Sequence, residues 1–477
     1  MKKCNRFFQN LLLAVLILLS TNCSTNSNID SEYIILQGAT IIDGTGKPPI
    51  QNGVIIIKGN RISQVGKFGE LDFPKGAEIR NLNGKWVIPG FIDLHIHFWE
   101  SGRTWAQPTF IYDLRKFVPY EEEVAFMQRR ISYTLEKYLC SGVTSVVPLG
   151  AIDWEYEVRE LALHQEKAPN IYLAGGFIAN YPTKGEWPIF DGRQTGYWLE
   201  NSDDAEGLIQ FLDSTNIDLI KAGFVSKEGY PMEIFQSKLK AIIEVSHGKN
   251  LKVSVHATEL SNAKKALQVG TDVLAHTVND NIIDEEFIEL ARQNSAIITS
   301  SLGVISAYNE ILTSTYSLTD QDKCCGDPEV IQSWEEWSEI PTSEKAPVPN
   351  WILDAKQSLE IMLKNTRIAY ESGLPICVGS DGGNIGSLHG PSFHRELRLL
   401  AEAGLSPMDI LISATKNGAL ALGKEEELGT IEMGKQADLL ILNSNPLESV
   451  ENFSKIDQVI VQGNLIERKE LIVAENE

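Results

Sequence analysis

The two ends of the chain share a texture that the middle lacks, and this constrains the fold more than any other feature. Between Tyr33 and Val87 the runs YIILQGATIIDGTG, GVIIIKGNRISQVG and AEIRNLNGKWVIPG set Val and Ile between Gly and Asn punctuation. Such runs are short strands split by turns. The same texture returns between Leu428 and Leu465, in LGTIEMGKQADLLILNSNP and IDQVIVQGNL. Similar segments at both termini are best explained by pairing into one small antiparallel sandwich, built from residues 33–88 and 422–470. The GTG at Gly44–Gly46 is a turn, since it lacks the helix that a phosphate loop requires.

Between the ends, strands alternate with helices. Strands are expected near Ile92–His97, Val143–Pro148, Ile171–Ala174, Asp218–Ala222, Lys252–His256, Val273–His276, Ile297–Ser300 and Ile376–Ser380. Helical periodicity lies between several of them, as in Glu121–Cys140, Lys238–His247 and Ile352–Ser372. Eight β-α units over residues 89–421 suggest a TIM-type (β/α)8 barrel, with a doubly wound open sheet as the alternative. Three long connections follow strands, at Phe98–Pro119, Phe177–Asp203 and Leu302–Asn350. In a barrel they overhang the face that carries active sites. Their indoles, Trp99, Trp105, Trp187, Trp198, Trp334 and Trp337, either pin the loops or touch substrate.

The net charge of −22 argues against a nucleic-acid partner, whose phosphates such a surface repels. The start of the chain is different in character. Lys2, Lys3 and Arg6 precede an apolar run from Leu11 to Leu19, and small polar residues lead to Cys23. This is the pattern of an export signal over residues 1–22. It resembles a bacterial lipoprotein leader, with Cys23 lipidated and residues 23–32 as a tether; an uncleaved anchor or an ordinary signal are the other readings. The expected location is therefore outside the cytoplasm, with the membrane as a partner only through the lipid. Cys140, Cys324, Cys325 and Cys377 form no C-x-x-C pair, so neither a structural zinc site nor a disulfide scaffold is indicated. A disulfide stays possible in an exported chain, without a readable pairing.

The chemistry begins at PGFIDLHIH, Pro89 to His97. On a strand, His95 and His97 project to one side, and Ile92, Leu94 and Ile96 are expected on the other. Two neutral imidazoles on one rigid strand are a ready pair of metal ligands. His256 ends KVSVHA, His276 ends DVLAHT, and Asp381 closes ICVGSDGG. Lys221 lies within IDLIKAG, where a lone buried ammonium is costly. The unusual polar residues thus fall at strand C-terminal ends. His164 and His247, on helical segments, read as surface residues.

Together with LGTIEMGKQADLLIL and the SLHGPSFHRELRLLAEAGLSPMDILISATKNGALALG that comes after Asp381, these motifs resemble the amidohydrolase superfamily, in its imidazolonepropionase-like and prolidase-like branch. The resemblance spans nearly all of the chain after the leader. It implies a (β/α)8 barrel with a β-sandwich from both termini, and metal-dependent hydrolysis. By position, His95 and His97 resemble the first-strand ligands, Lys221 the fourth-strand lysine, His256 and His276 the fifth- and sixth-strand ligands, and Asp381 the eighth-strand aspartate. In binuclear relatives that lysine carries a carbamate bridging two divalent cations. Zinc is the default metal for these ligands, and iron or manganese would also suit them. Two cations sharing a water would yield hydroxide near neutral pH, with Asp381 moving the proton. Tyr230 and His389 are candidate substrate contacts.

The leading expectation is a dipeptidase- or prolidase-like enzyme acting on a dipeptide or another small molecule. Peptidase-like relatives often show Gly-Gly-His after strand three, whereas here Gly175 and Gly176 precede Phe177. The alternatives are a cyclic amide hydrolase, a mononuclear imidazolonepropionase- or deaminase-like enzyme, and a binding protein on the same fold.

Overall fold

The structure is a computed structural model that describes residues 32–472, apart from 106–113, 115, 116, 152, 181–195, 227 and 346. The leader, Cys23, the tether up to residue 31 and Trp187 lie outside the described residues. Among those described, no helix is long and apolar enough to cross a membrane.

Five strands open the chain: Tyr33–Ile41 (β1), Ile50–Lys58 (β2), Arg61–Lys67 (β3), Glu78–Asn81 (β4) and Trp86–Pro89 (β5). The middle contains Phe91–Ile96 (β6), Val143–Pro148 (β7), Asn170–Ile171 (β8), Phe177–Ala179 (β9), Gly196–Trp198 (β10), Leu219–Gly223 (β11), Lys252–His256 (β12), Val273–Leu274 (β13), Ile297–Thr299 (β14) and Ile376–Cys377 (β15). Leu439–Leu442 (β16), Ile456–Val461 (β17) and Asn464–Glu467 (β18) close it.

The two ends do pair. Strands β1–β5 and β16–β18 form one eight-stranded sheet, in the order β18-β17-β16-β5-β1-β2-β3 with β4 also on β1. The seam is β5 against β16, antiparallel from Pro89–Leu439 to Trp86–Leu442. The sheet is mixed rather than antiparallel, because β4 and β5 both run parallel to β1. They share one edge of the long β1, at Ile34–Gln37 and Thr40–Ile41, while β2 covers the other. Val54–Ile57 is buried on both faces: Ile55 and Ile57 meet Leu36, Val87 and Ile441, and Val54 and Ile56 meet Ile35. A strand covered on both sides reads as an unbroken apolar run. Along β16 the period of two is clean. Leu439 and Ile441 stay within the terminal sheet, and Leu440 and Leu442 pack into the large central core with Phe91 and Val143.

The middle strands pair in parallel, as β6-β7-β8 and as β10-β9-β11-β12-β13-β14-β15. Two bridges tie the smaller sheet to the larger at both ends, Ala174 to Leu219 and Ile96 to Gly382. Leu94 N–H to Val378 O, 2.9 Å, strengthens the second junction. All eight expected strands have a counterpart, and the expected helices are Tyr120–Cys140, Met232–His247 and Ala355–Glu371. Strands three, six and eight are shorter than expected. Past the eighth strand the backbone turns left-handed at Asp381, with φ +54°.

One expectation about β6 fails. Ile92 and Leu94 join an inner cluster with Leu219, Val273, Ile297 and Cys377, whereas Ile96 joins the large core with Phe91. The pairing of β6 with β7 shifts register between Asp93 and Ile96. An irregularity of this kind breaks the period of two and re-aims the side chains beyond it. The three aliphatics therefore do not share a face.

Candidate metal centre

His95 is almost completely buried on β6, and His97 stands one residue past its end. His95 Nδ1 lies 3.1 Å from the carbonyl of Ala275. A carbonyl only accepts, so Nδ1 carries the proton and Nε2 presents a lone pair. That Nε2 is 3.2 Å from His97 Nε2, 3.4 Å from Asp381 Oδ1 and 3.5 Å from Lys221 Nζ. His97 Nε2 is 3.2 Å from the same Asp381 oxygen. His276 Nδ1 is 4.0 Å from Asp381 Oδ2, and its ring lies 4.7 Å from that of His95 and 4.4 Å from that of His256. The five sequence-predicted imidazole and carboxylate positions and Lys221 thus converge from the ends of different strands.

Burial sets the protonation of this cluster. It holds the His256 imidazolium down to about 3, with Lys221 next in effect. It also lowers His95 and His276 well below the usual histidine range, helped by Lys221 and His256 respectively. Lys221, 2% exposed, is pulled down to about 7 by burial against the opposing charge of Asp381. Neutral imidazoles and an amine that readily loses its proton are the forms that bind metal or react.

The donor set fits a cation. His95, His276 and Asp381 each offer a ligand atom within 4.8 Å of the others. Two imidazole nitrogens lie 3.2 Å apart beside a carboxylate oxygen, donor atoms of the kind a divalent cation takes. His97 Nδ1 is buried and has no hydrogen-bond partner among the described residues.

A match to the model of the amidohydrolase family runs over residues 86–466. The chain belongs to the amidohydrolase family. This amidohydrolase is therefore a hydrolase of carbon–nitrogen bonds. It is similar to ochratoxinase of Aspergillus niger, 22% identical over 461 residues that cover 90% of this chain and 85% of the relative. Among solved structures, a putative prolidase from Bifidobacterium longum superposes with TM-score 0.68 at 23% identity, covering 91% of this chain and 94% of the other. A Xaa-Pro dipeptidase with bound methionine superposes with TM-score 0.68 at 22% identity, covering 91% and 100%.

The two candidate substrate contacts are held differently. Tyr230 is 41% exposed on the loop after β11 of this amidohydrolase. His389 spends both ring nitrogens on the protein: Nε2 donates to Glu100 O at 2.9 Å, and Tyr138 O–H donates to Nδ1 at 2.7 Å. It braces the loops above the site. The indoles divide similarly. Trp105 donates to Glu336 at 3.2 Å and Trp334 to Gly102 O at 3.0 Å, pinning the connection after β6 to the one after β14. Trp99 instead packs at 5.1 Å from His97, with its N–H buried and without a partner among the described residues. Phe177 lies over Gly223, where an added Cβ would come within 2.3 Å of the ring.

Sequence reasoning missed several residues. Asp93 is fully buried and accepts from Ser380 N at 2.9 Å and Ser380 Oγ at 2.5 Å, fastening the eighth strand to the first. Burial raises it to about 7. Glu100 is 4% exposed, and burial followed by the charges of Asp381 and Glu155 pushes its carboxyl well up. An acid inside the apolar run FIDLHI was a signal for Asp93; Glu100 carried none.

Proposed function

We propose that this amidohydrolase is a metal-dependent amide hydrolase of the dipeptidase type. Two divalent cations, zinc by default, would be held by His95, His97, His256, His276, Asp381 and a Lys221 carboxylated to a carbamate. The observation that carries the proposal is the buried convergence of His95 Nε2, His97 Nε2, Lys221 Nζ and Asp381 Oδ1. A closed (β/α)8 barrel is part of it: the bridges at both ends of the β6-β7-β8 sheet support closure, and a barrel gathers strand ends into one mouth.

Bound cations supply Lewis acidity to the scissile carbonyl and acidify a shared water. The chain's own groups do the rest. His95, held by Ala275 O, keeps one lone pair aimed at the site. Lys221 becomes nucleophilic by losing its proton; adding carbon dioxide forms one N–C bond and releases one further proton. Asp381 takes a proton from the attacking water and delivers it to the departing nitrogen, which leaves as the protonated amine.

The likeness to a prolidase and to a Xaa-Pro dipeptidase supports a dipeptide as the substrate. Phe177 against Gly223, where peptidase-like relatives often carry a histidine, supports a second reading, a cyclic amide hydrolase. We also propose export, with lipid on Cys23. The leader and the bond between Cys140 and Cys325 support it, since disulfides persist in oxidising compartments. Cys23→Ala should then release the protein from membranes; continued membrane attachment would refute lipidation.

Metal analysis and a screen of dipeptides, N-acyl amino acids and cyclic amides test the proposal. About two ions per chain and dipeptide turnover are expected. One ion would favour the mononuclear reading, and inertness of the metal-replete protein toward every amide would overturn the proposal in favour of a binding role.

A further inference from the structure

Asp381 is one of few non-glycine residues in left-handed backbone, with φ +54°. Side chains resist that region, so neighbouring contacts must hold it. Asp381 N–H donates to His95 O at 2.8 Å. On the other side a single amide does two jobs: Asn384 Nδ2 donates to Asp381 O at 3.0 Å and to Asp381 Oδ1 at 2.9 Å. The strained backbone and the carboxylate rotamer are thus tied to the same group. Asn384 is itself buried, 8% exposed.

An asparagine amide could present either end. Only its NH2 can donate to a carboxylate. Tyr308, on the helix Val304–Leu312, donates its hydroxyl to Asn384 Oδ1 and so engages the oxygen end. Burial, with the charges of Glu100 and Asp381, raises the Tyr308 pKa well above the usual phenol range, keeping it a donor. That helix is held in turn by buried Glu396, which accepts from Leu302 N at 2.9 Å, Gly303 N at 2.6 Å and Ser300 Oγ at 2.7 Å.

The consequence is an asymmetry between the two carboxylate oxygens. Oδ1 receives Asn384 and faces His95 and His97. Oδ2 accepts no hydrogen bond among the described residues, and His276 Nδ1 lies 4.0 Å from it. We propose that Asn384, oriented by Tyr308, is a positioning residue that holds Asp381 with Oδ1 toward the histidines and Oδ2 free to carry the proton. This rests on the reading of Asp381 as the proton carrier.

Asn384→Ala, Tyr308→Phe, the double variant and Asp381→Asn are compared by dipeptide kinetics, metal content and the visible spectrum of cobalt-substituted protein. For Asn384→Ala, kcat should fall about 30- to 100-fold, KM should change less than about threefold, and metal content should hold. Tyr308→Phe should cost about 5- to 10-fold, and the double variant no more than Asn384→Ala alone, since both act through one amide. The cobalt spectrum should change in each. A kcat for Asn384→Ala within about twofold of the parent, losses that multiply in the double variant, or an unchanged spectrum would each overturn the inference. Turnover retained by Asp381→Asn would instead remove the reading beneath it. An inert Asp381→Asn beside normal Asn384→Ala and Tyr308→Phe would remove this inference alone.

Discussion

The bond between Cys140 and Cys325 closes a loop of 185 residues and offers a quantitative test. It joins the end of the helix Tyr120–Cys140 to the helix Asp320–Cys325, within the long connection that also carries Tyr308. Chain-entropy arguments give about 18 cal/mol/K for a loop this long, or about 5 kcal/mol at 25 °C. Unfolding entropy is about 2 cal/mol/K per residue, hence about 1 kcal/mol for each degree in a chain of this size, so losing the bond should lower Tm by about 5 °C. Which cysteine is changed matters. The free Cys324 Sγ is 3.4 Å from Cys325 Sγ, and the three sulfurs lie within 4.8 Å of one another. Cys325→Ala therefore leaves Cys140 a substitute partner that still closes the long loop, whereas Cys140→Ala leaves only the adjacent Cys324 and Cys325, which close none. Cys140 and Cys325 are equally buried, so the cost of the lost sulfur cancels in the comparison. Thermal unfolding of both variants, with peptide mapping of the bridges, decides the matter. Cys140→Ala should lose about 5 °C and Cys325→Ala distinctly less, with a new Cys140–Cys324 bridge. A fall below about 1 °C for Cys140→Ala refutes the entropy argument, and equal falls refute re-pairing.

Three other predictions concern the site. Asp381→Asn should lower kcat by at least about a thousandfold while most of the metal stays bound; turnover near the parent's level would reject its role in proton transfer. Lys221→Ala should reduce metal content from about two ions to about one or fewer, read by elemental analysis, and full retention would rule out a bridging carbamate. Glu100→Gln should raise the Tm of chelator-treated protein by about 1–3 °C, since burying an acid beside the like charges of Asp381 and Glu155 costs about 1–3 kcal/mol. Burial raises the folded-state pKa of Glu100, so its protonated form confers stability that is complete below the unfolded value of 4.5 and is lost as pH rises toward the folded value. The Tm gap between Glu100→Gln and the parent should accordingly widen from pH 5 to pH 8, and a constant gap would show that Glu100 does not titrate in this way.

Which parts of the molecule could be read from its residues depends on the range of the interactions involved. His256 and His276 were legible because a polar side chain ending an apolar run leaves few structural explanations. The seam of β5 on β16 was legible as matched texture, though not its sense; whether β4 and β5 run parallel to β1 depends on where residues 68–77 carry the chain. The register shift after Asp93 was hidden, because HIH obeys the alternation that the strand as a whole breaks. The orientation of Asp381 was hidden for a further reason. Its immediate partner is only three residues away, but that partner is aimed by Tyr308, 76 residues before it, through a helix held by Glu396. Spacing along the chain can identify which groups gather, because strand ends deliver them. It cannot say which way a carboxylate turns once there, because that is decided by groups brought in by other elements, and on that rotation the passage of a proton depends.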